Sequence, residues 1–128
     1  SGGVIINISS DLGLIAPDQR LYKKTGLPED QQPVKSISYS VIKTGLIGLT
    51  RYLATYWPKK VRSNALCPGG VGTTELPTEF VNDIIKRIPL NRMAEVDEYQ
   101  GALVFLLSDS SKYMNGSVLS IDGGRSIW

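Results

Sequence analysis

The sequence predicts an α/β fold, and three observations predict it. Three short apolar, β-branched runs are separated by stretches of helical periodicity. Their order is strand, helix, strand, helices, strand, which argues for a parallel sheet joined by crossover helices. Each run closes on turn-forming residues: Ser9-Ser10, Pro68-Gly69-Gly70 and Asp122-Gly123-Gly124.

The elements follow in order. Val4 to Ile8 reads as a buried parallel strand. Residues 14–37 are polar and turn-rich, with Pro17, Gly26, Pro28 and Pro33, and predict a long loop insertion with one helical turn near Gln19 to Lys24. Ser38 to Trp57 predicts a helix, with Ile42, Leu46, Leu49 and Leu53 as its stripe and Pro58 as its stop. Gly45 and Gly48 cost that helix stability and point to close packing against another backbone. Val61 to Leu66 is the second strand. Residues 78–87 predict a short helix. Glu95 to Ser108 predicts a clearer one, with Val96, Tyr99, Leu103, Leu106 and Leu107 inward. Ser117 to Ile121 is the third strand.

Composition narrows the chemistry. The 128 residues fit one domain, and 41% hydrophobic with 20% charged residues describes a globular chain. A net charge of +2 is too small to argue for nucleic acid or an anionic membrane as partner. No apolar run approaches the ~18 residues of a membrane span, so a cytoplasmic protein is expected. The single cysteine, Cys67, forms no internal disulfide and reads as a small core residue. With no histidine, imidazole catalysis and histidine zinc sites are excluded, and no metal site is expected. Acid/base work falls to Tyr, Lys, Asp or Glu.

In an open parallel sheet, ligands sit beyond the carboxyl ends of the strands. The helix from Ser38 must begin on that side, because it returns to start the second strand. Topology therefore brings Ser10, Tyr39, Lys43 and Thr73 to one rim. Tyr39 and Lys43 are four apart and share a helix face. A phenol, with a pKa of about 10, is a poor acid or base near neutrality. An ammonium beside it favours the phenolate. A serine hydroxyl can donate to a carbonyl oxygen as charge develops there. The three together suit proton transfer to or from an alcohol or ketone oxygen, with hydride carried by a cofactor. Alone the Tyr-x3-Lys spacing is weak, since Tyr56 and Lys60 repeat it. That second pair spans Pro58 at the far end of the helix and reads as chance.

The ordered set around the first pair is specific. Asn7-Ile8-Ser9-Ser10, Tyr39-Ser40-Val41-Ile42-Lys43, Arg62 to Val71 with Thr73, Ile88-Pro89-Leu90-Asn91-Arg92-Met93 and Ile121-Asp122-Gly123-Gly124 together resemble the C-terminal, catalytic half of a short-chain dehydrogenase/reductase. The resemblance covers nearly the whole chain outside 14–37. It implies the last three parallel strands of a Rossmann-like doubly wound sheet, with residues 1–128 forming one partial domain. Ser10 would orient substrate, Tyr39 would be the general acid/base, and Lys43 would stabilise the phenolate and bind the nicotinamide ribose. Ile8, Pro68, Gly69, Val71 and Thr73 would line the nicotinamide of NAD or NADP. Ser9 is the lesser candidate for the catalytic serine.

Two departures stand beside the resemblance. The family's glycine-rich phosphate loop, its NAD/NADP-selecting residue and its catalytic asparagine fall upstream of Ser1. The stretch between Ser10 and Tyr39 is longer than usual and carries Arg20, Lys23 and Lys24. Those cations read either as a solvated loop face or as contacts for an anionic, sugar-derived substrate. The expectation is an NAD(P)-dependent alcohol/ketone oxidoreductase assembling as a dimer or tetramer through the Gly45/Gly48 helix. The alternative is a catalytically silent assembly module. Trp128 either frays or packs on a neighbouring subunit.

Overall fold

A computed structural model describes residues 2–128. Its sheet has three parallel strands in the order β1-β2-β3: β1 (Gly3–Ile8), β2 (Val61–Pro68) and β3 (Val118–Ile121). Gly3 stands opposite Val61 and Ile8 opposite Leu66, and Ala65 stands opposite Val118. The central strand β2 is buried from Ser63 through Cys67, as a strand covered on both faces must be. Strand β1 is the edge of the described sheet, and Val4 to Asn7 are half-buried where the sequence read as buried.

Helix α1 (Ile37–Tyr56) is capped by the Ser36 hydroxyl, which accepts from the Ser38 N–H, and ends one residue before Trp57. The face it lays on the sheet is only in part the predicted one. Ile47, Thr50 and Ala54 are buried with Leu46 and Leu53 half-buried beside them, whereas Ile42 and Leu49 are exposed. The stripe that meets β1 and β2 is rotated by one residue, about 100°, and continues backward through Lys43 and Tyr39. Thr50 is fully buried because it accepts from Asn7 on β1 at 2.9 Å and donates to the Leu46 carbonyl at 2.8 Å. A polar pair at the centre of this contact is what hid the face from a search for apolar residues. Gly45 and Gly48 lie on the outer side of α1, where a Cβ would meet no described residue beyond the helix's own backbone and the chain neighbours within 4 Å. The expected close packing against another backbone is not seen among the described residues.

Loop 14–37 holds two short 3-10 turns, Gln19–Tyr22 as expected and Glu29–Gln31 in addition. Helix α2 (Thr78–Ile85) packs Ile84, together with Ile88 just beyond its end, against Leu21 of the first turn, with Tyr22 and Phe80 at the margin. The Glu95 to Ser108 segment is a 3-10 turn, Val96–Tyr99, followed by α3 (Gln100–Leu107). Leu106 is buried and Tyr99 and Leu103 half-buried as expected, while Val96 and Leu107, expected inward, face solvent.

Arg62, Ser63 and Asn64 of β2 clamp the connection from α3 to β3. Arg62 donates to the carbonyls of Leu106, Ser108 and Met114, satisfying the orphan acceptors at the end of α3. Asn64 donates to Met114 and accepts from the Ser117 N–H, and Asn115 bridges Ser63 to the Ala54 carbonyl of α1. The turn after β3 is shaped by Asp122, whose carboxylate accepts from the Gly124 and Ser126 N–H groups. Gly123 and Gly124 take φ of 66° and 89° there, and they pass so close to Ile88 and Pro89 that a side chain would collide.

Candidate active site

The ends of β1 and β2 and the first turns of α1 open onto one cleft of about 360 Å³. Of the residues singled out from sequence, Ile8, Ser10, Tyr39, Lys43, Pro68, Gly69 and Val71 all line it. Thr73 does not. Val71 pairs with Ala94 in an isolated bridge, and the chain then turns outward, leaving Thr73 exposed.

Lys43 is placed by two bonds to the end of β1. Its ammonium donates to the Ile8 carbonyl at 3.1 Å, and its own carbonyl accepts from the Ser9 hydroxyl at 2.6 Å. The second bond requires the loop and helix to lie in contact, and Gly13 permits it. A Cβ on Gly13 would overlap the Ser9 oxygen and stand 2.9 Å from the Lys43 carbonyl. Ser9 thus fixes the helix, which frees Ser10 for the cleft. The Lys43 ammonium lies 5.6 Å from the centre of the Tyr39 ring. A second ammonium, Lys35, lies closer, at 4.0 Å.

The structure adds partners that sequence reasoning missed. The Ser10 hydroxyl donates to Asp11 Oδ1 at 2.9 Å and accepts from the Leu12 N–H at 3.1 Å. The other Asp11 oxygen accepts from Arg125 at 2.7 Å, and both side chains of that pair are almost fully buried, at 4% and 7% exposure. Arg125 directly follows the Asp-Gly-Gly turn, so the end of β3 is tied to the Ser10 loop by a charge pair. Only the buried position of an acidic and a basic residue could have announced it, and burial is not visible in sequence. Tyr22 also lines the cleft, and burial raises its phenol pKa above the ordinary value. The Tyr99 hydroxyl donates to the Gly69 carbonyl at 2.8 Å, and burial likewise raises its pKa. Cys67 is fully buried in β2, its thiol pushed up by burial.

The loop cations resolve differently. Arg20 forms a two-bond pair with Asp18, which holds that carboxyl well below the usual carboxylate range, with Arg87 adding a further bond. Lys23 pairs with Glu29 at 2.7 Å, and Lys24 is exposed. Among the described residues no group of three or more potential metal-ligating side chains comes together. Among the described residues no helix is long and apolar enough to cross a membrane.

A family model described as enoyl-(acyl carrier protein) reductase matches residues 29–126. The chain belongs to the short-chain dehydrogenase/reductase family. A solved short-chain dehydrogenase of Leptospira borgpetersenii with bound NAD+ superposes with a TM-score of 0.85 at 33% identity, over 98% of this chain and 45% of that one. A gluconate 5-dehydrogenase of Burkholderia cenocepacia, in complex with NADP and tartrate, gives a TM-score of 0.80 at 29% identity, over 98% and 45%. An uncharacterized oxidoreductase of Thermotoga maritima is 36% identical over 96% of this chain and 47% of its own length. The chain thus spans about half the length of the curated relatives it matches.

Proposed function

We propose that this chain supplies the catalytic half of an NAD(P)-dependent oxidoreductase that interconverts an alcohol and a ketone. The observation that carries the reading is the convergence of Ser10, Tyr39 and Lys43 on one cleft at the carboxyl ends of parallel strands. Two features fit a nicotinamide and its ribose. An ammonium is held at the cleft wall by Ile8, and the half-buried Pro68, Gly69 and Val71 line the cleft beside it. The cofactor, when bound, takes up or donates hydride at the carbinol carbon.

In the oxidation direction, the substrate O–H gives its proton to the Tyr39 oxygen as the C–H bond breaks with its electron pair and the carbonyl forms. Reduction reverses each transfer. The Lys43 ammonium provides a fixed positive charge beside the ring that carries the proton. Ser10 positions the substrate oxygen. Its hydrogen is committed to Asp11 in this state, so donation to substrate requires the hydroxyl to rotate away from that carboxylate.

The related gluconate 5-dehydrogenase, with NADP and tartrate, supports a small polyhydroxylated, sugar-derived substrate. The exposed apolar row Val41, Ile42, Leu49 and Tyr52 of α1, beside the open Gly45 and Gly48, supports a homo-oligomer joined through this helix. Tyr39→Phe in the intact protein is the test. Turnover should fall by roughly 10²–10⁴-fold, while NADH or NADPH titrated by fluorescence binds as in the parent. Full turnover by the variant would overturn the assignment.

A further inference from the structure

We propose that Lys35 holds an anionic group of the substrate, a carboxylate or a phosphate, in the passage that joins the Tyr39 cleft to a second pocket. The proposal rests on the oxidoreductase reading above and names the substrate class for that site.

The second pocket, about 540 Å³, is walled by the Gln19–Tyr22 turn and by α2, and it shares Tyr22, Lys35, Leu76 and Phe80 with the cleft. The two spaces are therefore adjacent, and among the described residues Lys35 is the one cation on their common border. Four cations border the outer pocket. Arg20 is committed to Asp18 and Lys23 to Glu29. Lys24 and Lys35 have no ion-pair partner among the described residues, and of these two only Lys35 also lines the cleft.

Lys35 is also held in place. Its backbone N–H donates to the Gln19 side chain at 2.9 Å, and its ammonium rests 4.0 Å from the centre of the Tyr39 ring. The contact with the π-face leaves its three N–H donors unspent on any acceptor among the described residues. The ammonium of this half-buried residue, with free donors beside the proton-transferring ring, is complemented by a group that is anionic and accepts several hydrogen bonds. The apolar neighbours Leu76 and Phe80 lower the local dielectric and strengthen that attraction. Glu79 and Asp83 border the outer pocket but not the cleft, which places the anion at the Lys35 passage and not beyond it. The substrate is then a hydroxy acid or a phosphorylated polyol, with its anionic group a few bonds from the reacting carbinol.

The test compares matched probes on the intact protein, with NAD+ or NADP+ present and again without it. D-gluconate, D-glucitol 6-phosphate and neutral D-glucitol are titrated calorimetrically against the parent, Lys35→Met and Lys35→Arg. At least one anion should bind the parent more tightly than glucitol by on the order of tenfold to a hundredfold, the weight of a charge-assisted hydrogen bond. Which anion does so distinguishes carboxylate from phosphate. Lys35→Met should abolish that preference with glucitol binding unchanged, and Lys35→Arg should restore most of it. Equal binding of all three probes, no binding of either anion at millimolar concentration, or a preference that survives Lys35→Met overturns the proposal. Nucleotide reduction in the same samples reports separately on the oxidoreductase reading, so a protein that selects anions through Lys35 yet reduces no nucleotide would sink that reading alone.

Discussion

Arg125→Met removes the guanidinium that faces Asp11 while keeping much of its volume. In the parent, Asp11 Oδ2 and Arg125 Nη1 are 2.7 Å apart, and the side chains are 4% and 7% exposed. After the substitution, the carboxylate keeps only the Ser10 hydroxyl and the Leu12 N–H as donors, both on Oδ1. Breaking a buried pair by removing one partner costs about 3–5 kcal/mol, because the remaining charge is left uncompensated. With a urea m-value of about 2–3 kcal/mol/M, the unfolding midpoint should drop by roughly 1–2.5 M. The double variant Asp11→Asn/Arg125→Met leaves no buried charge. It should recover a large part of the loss, giving a coupling free energy of about 1–3 kcal/mol in a double-mutant cycle. Urea unfolding of the four proteins reads both quantities. A single-variant loss below about 1 kcal/mol, as for an exposed pair, or a cycle that closes to zero would refute the claim that this pair fastens β3 to the serine loop.

Two further predictions concern other parts of the chain. The Arg92 guanidinium and the Glu95 N–H hold the Glu98 carboxyl down to about 2 from 4.5. A depressed carboxylate stabilises the fold above its unfolded value, so this contribution should be complete above pH 4.5 and fade as pH falls toward 2. Thermal midpoints of the parent and Glu98→Gln should therefore converge over that window, and parallel curves would count against the pair. Gly13→Ala places a methyl group between the Ser9 hydroxyl and the Lys43 carbonyl. It should cost about 1–3 kcal/mol by overpacking and lower turnover by displacing Lys43. Unchanged turnover would show that the close approach at Gly13 does not position the ammonium.

Much of the fold was legible because the strands and helices carry local signals. The β-branched runs, the Pro58 stop and the glycine turns fixed three parallel strands and α1 to within a residue or two. The errors arose where apolarity was read as burial. On α1, the row Ile42, Leu46, Leu49 and Leu53 is the more apolar face, yet the sheet takes Ile47, Thr50 and Ala54. The contact is cemented by the Asn7–Thr50 hydrogen bond, a pair separated by 43 positions that no window of sequence displays. The same blindness placed Val96 and Leu107 inside, whereas only Tyr99, Leu103 and Leu106 of that predicted row are buried or half-buried.

The site was legible to a different degree. Tyr39 and Lys43 could be found because their spacing is local, and Ser10 because it ends a strand. Correcting the α1 face strengthens the placement of the first two. Tyr39, Lys43, Ile47, Thr50 and Ala54 recur at spacings of four, four, three and four, so the residues of the cleft and the residues of the core form one continuous stripe. The rotation of α1 that seats Thr50 on Asn7 is the same rotation that aims Lys43 at Ile8. A helix turned to bury its more apolar row would carry Lys43 away from the end of β1. Core packing and site geometry are therefore one constraint on this helix, and the polar Thr50 is the residue through which it is enforced. Asp11, Arg125 and Lys35 had no such local signature. Their parts depend on the pairing of distant segments and on which loop cations are already neutralised, and both of those are properties of the folded chain.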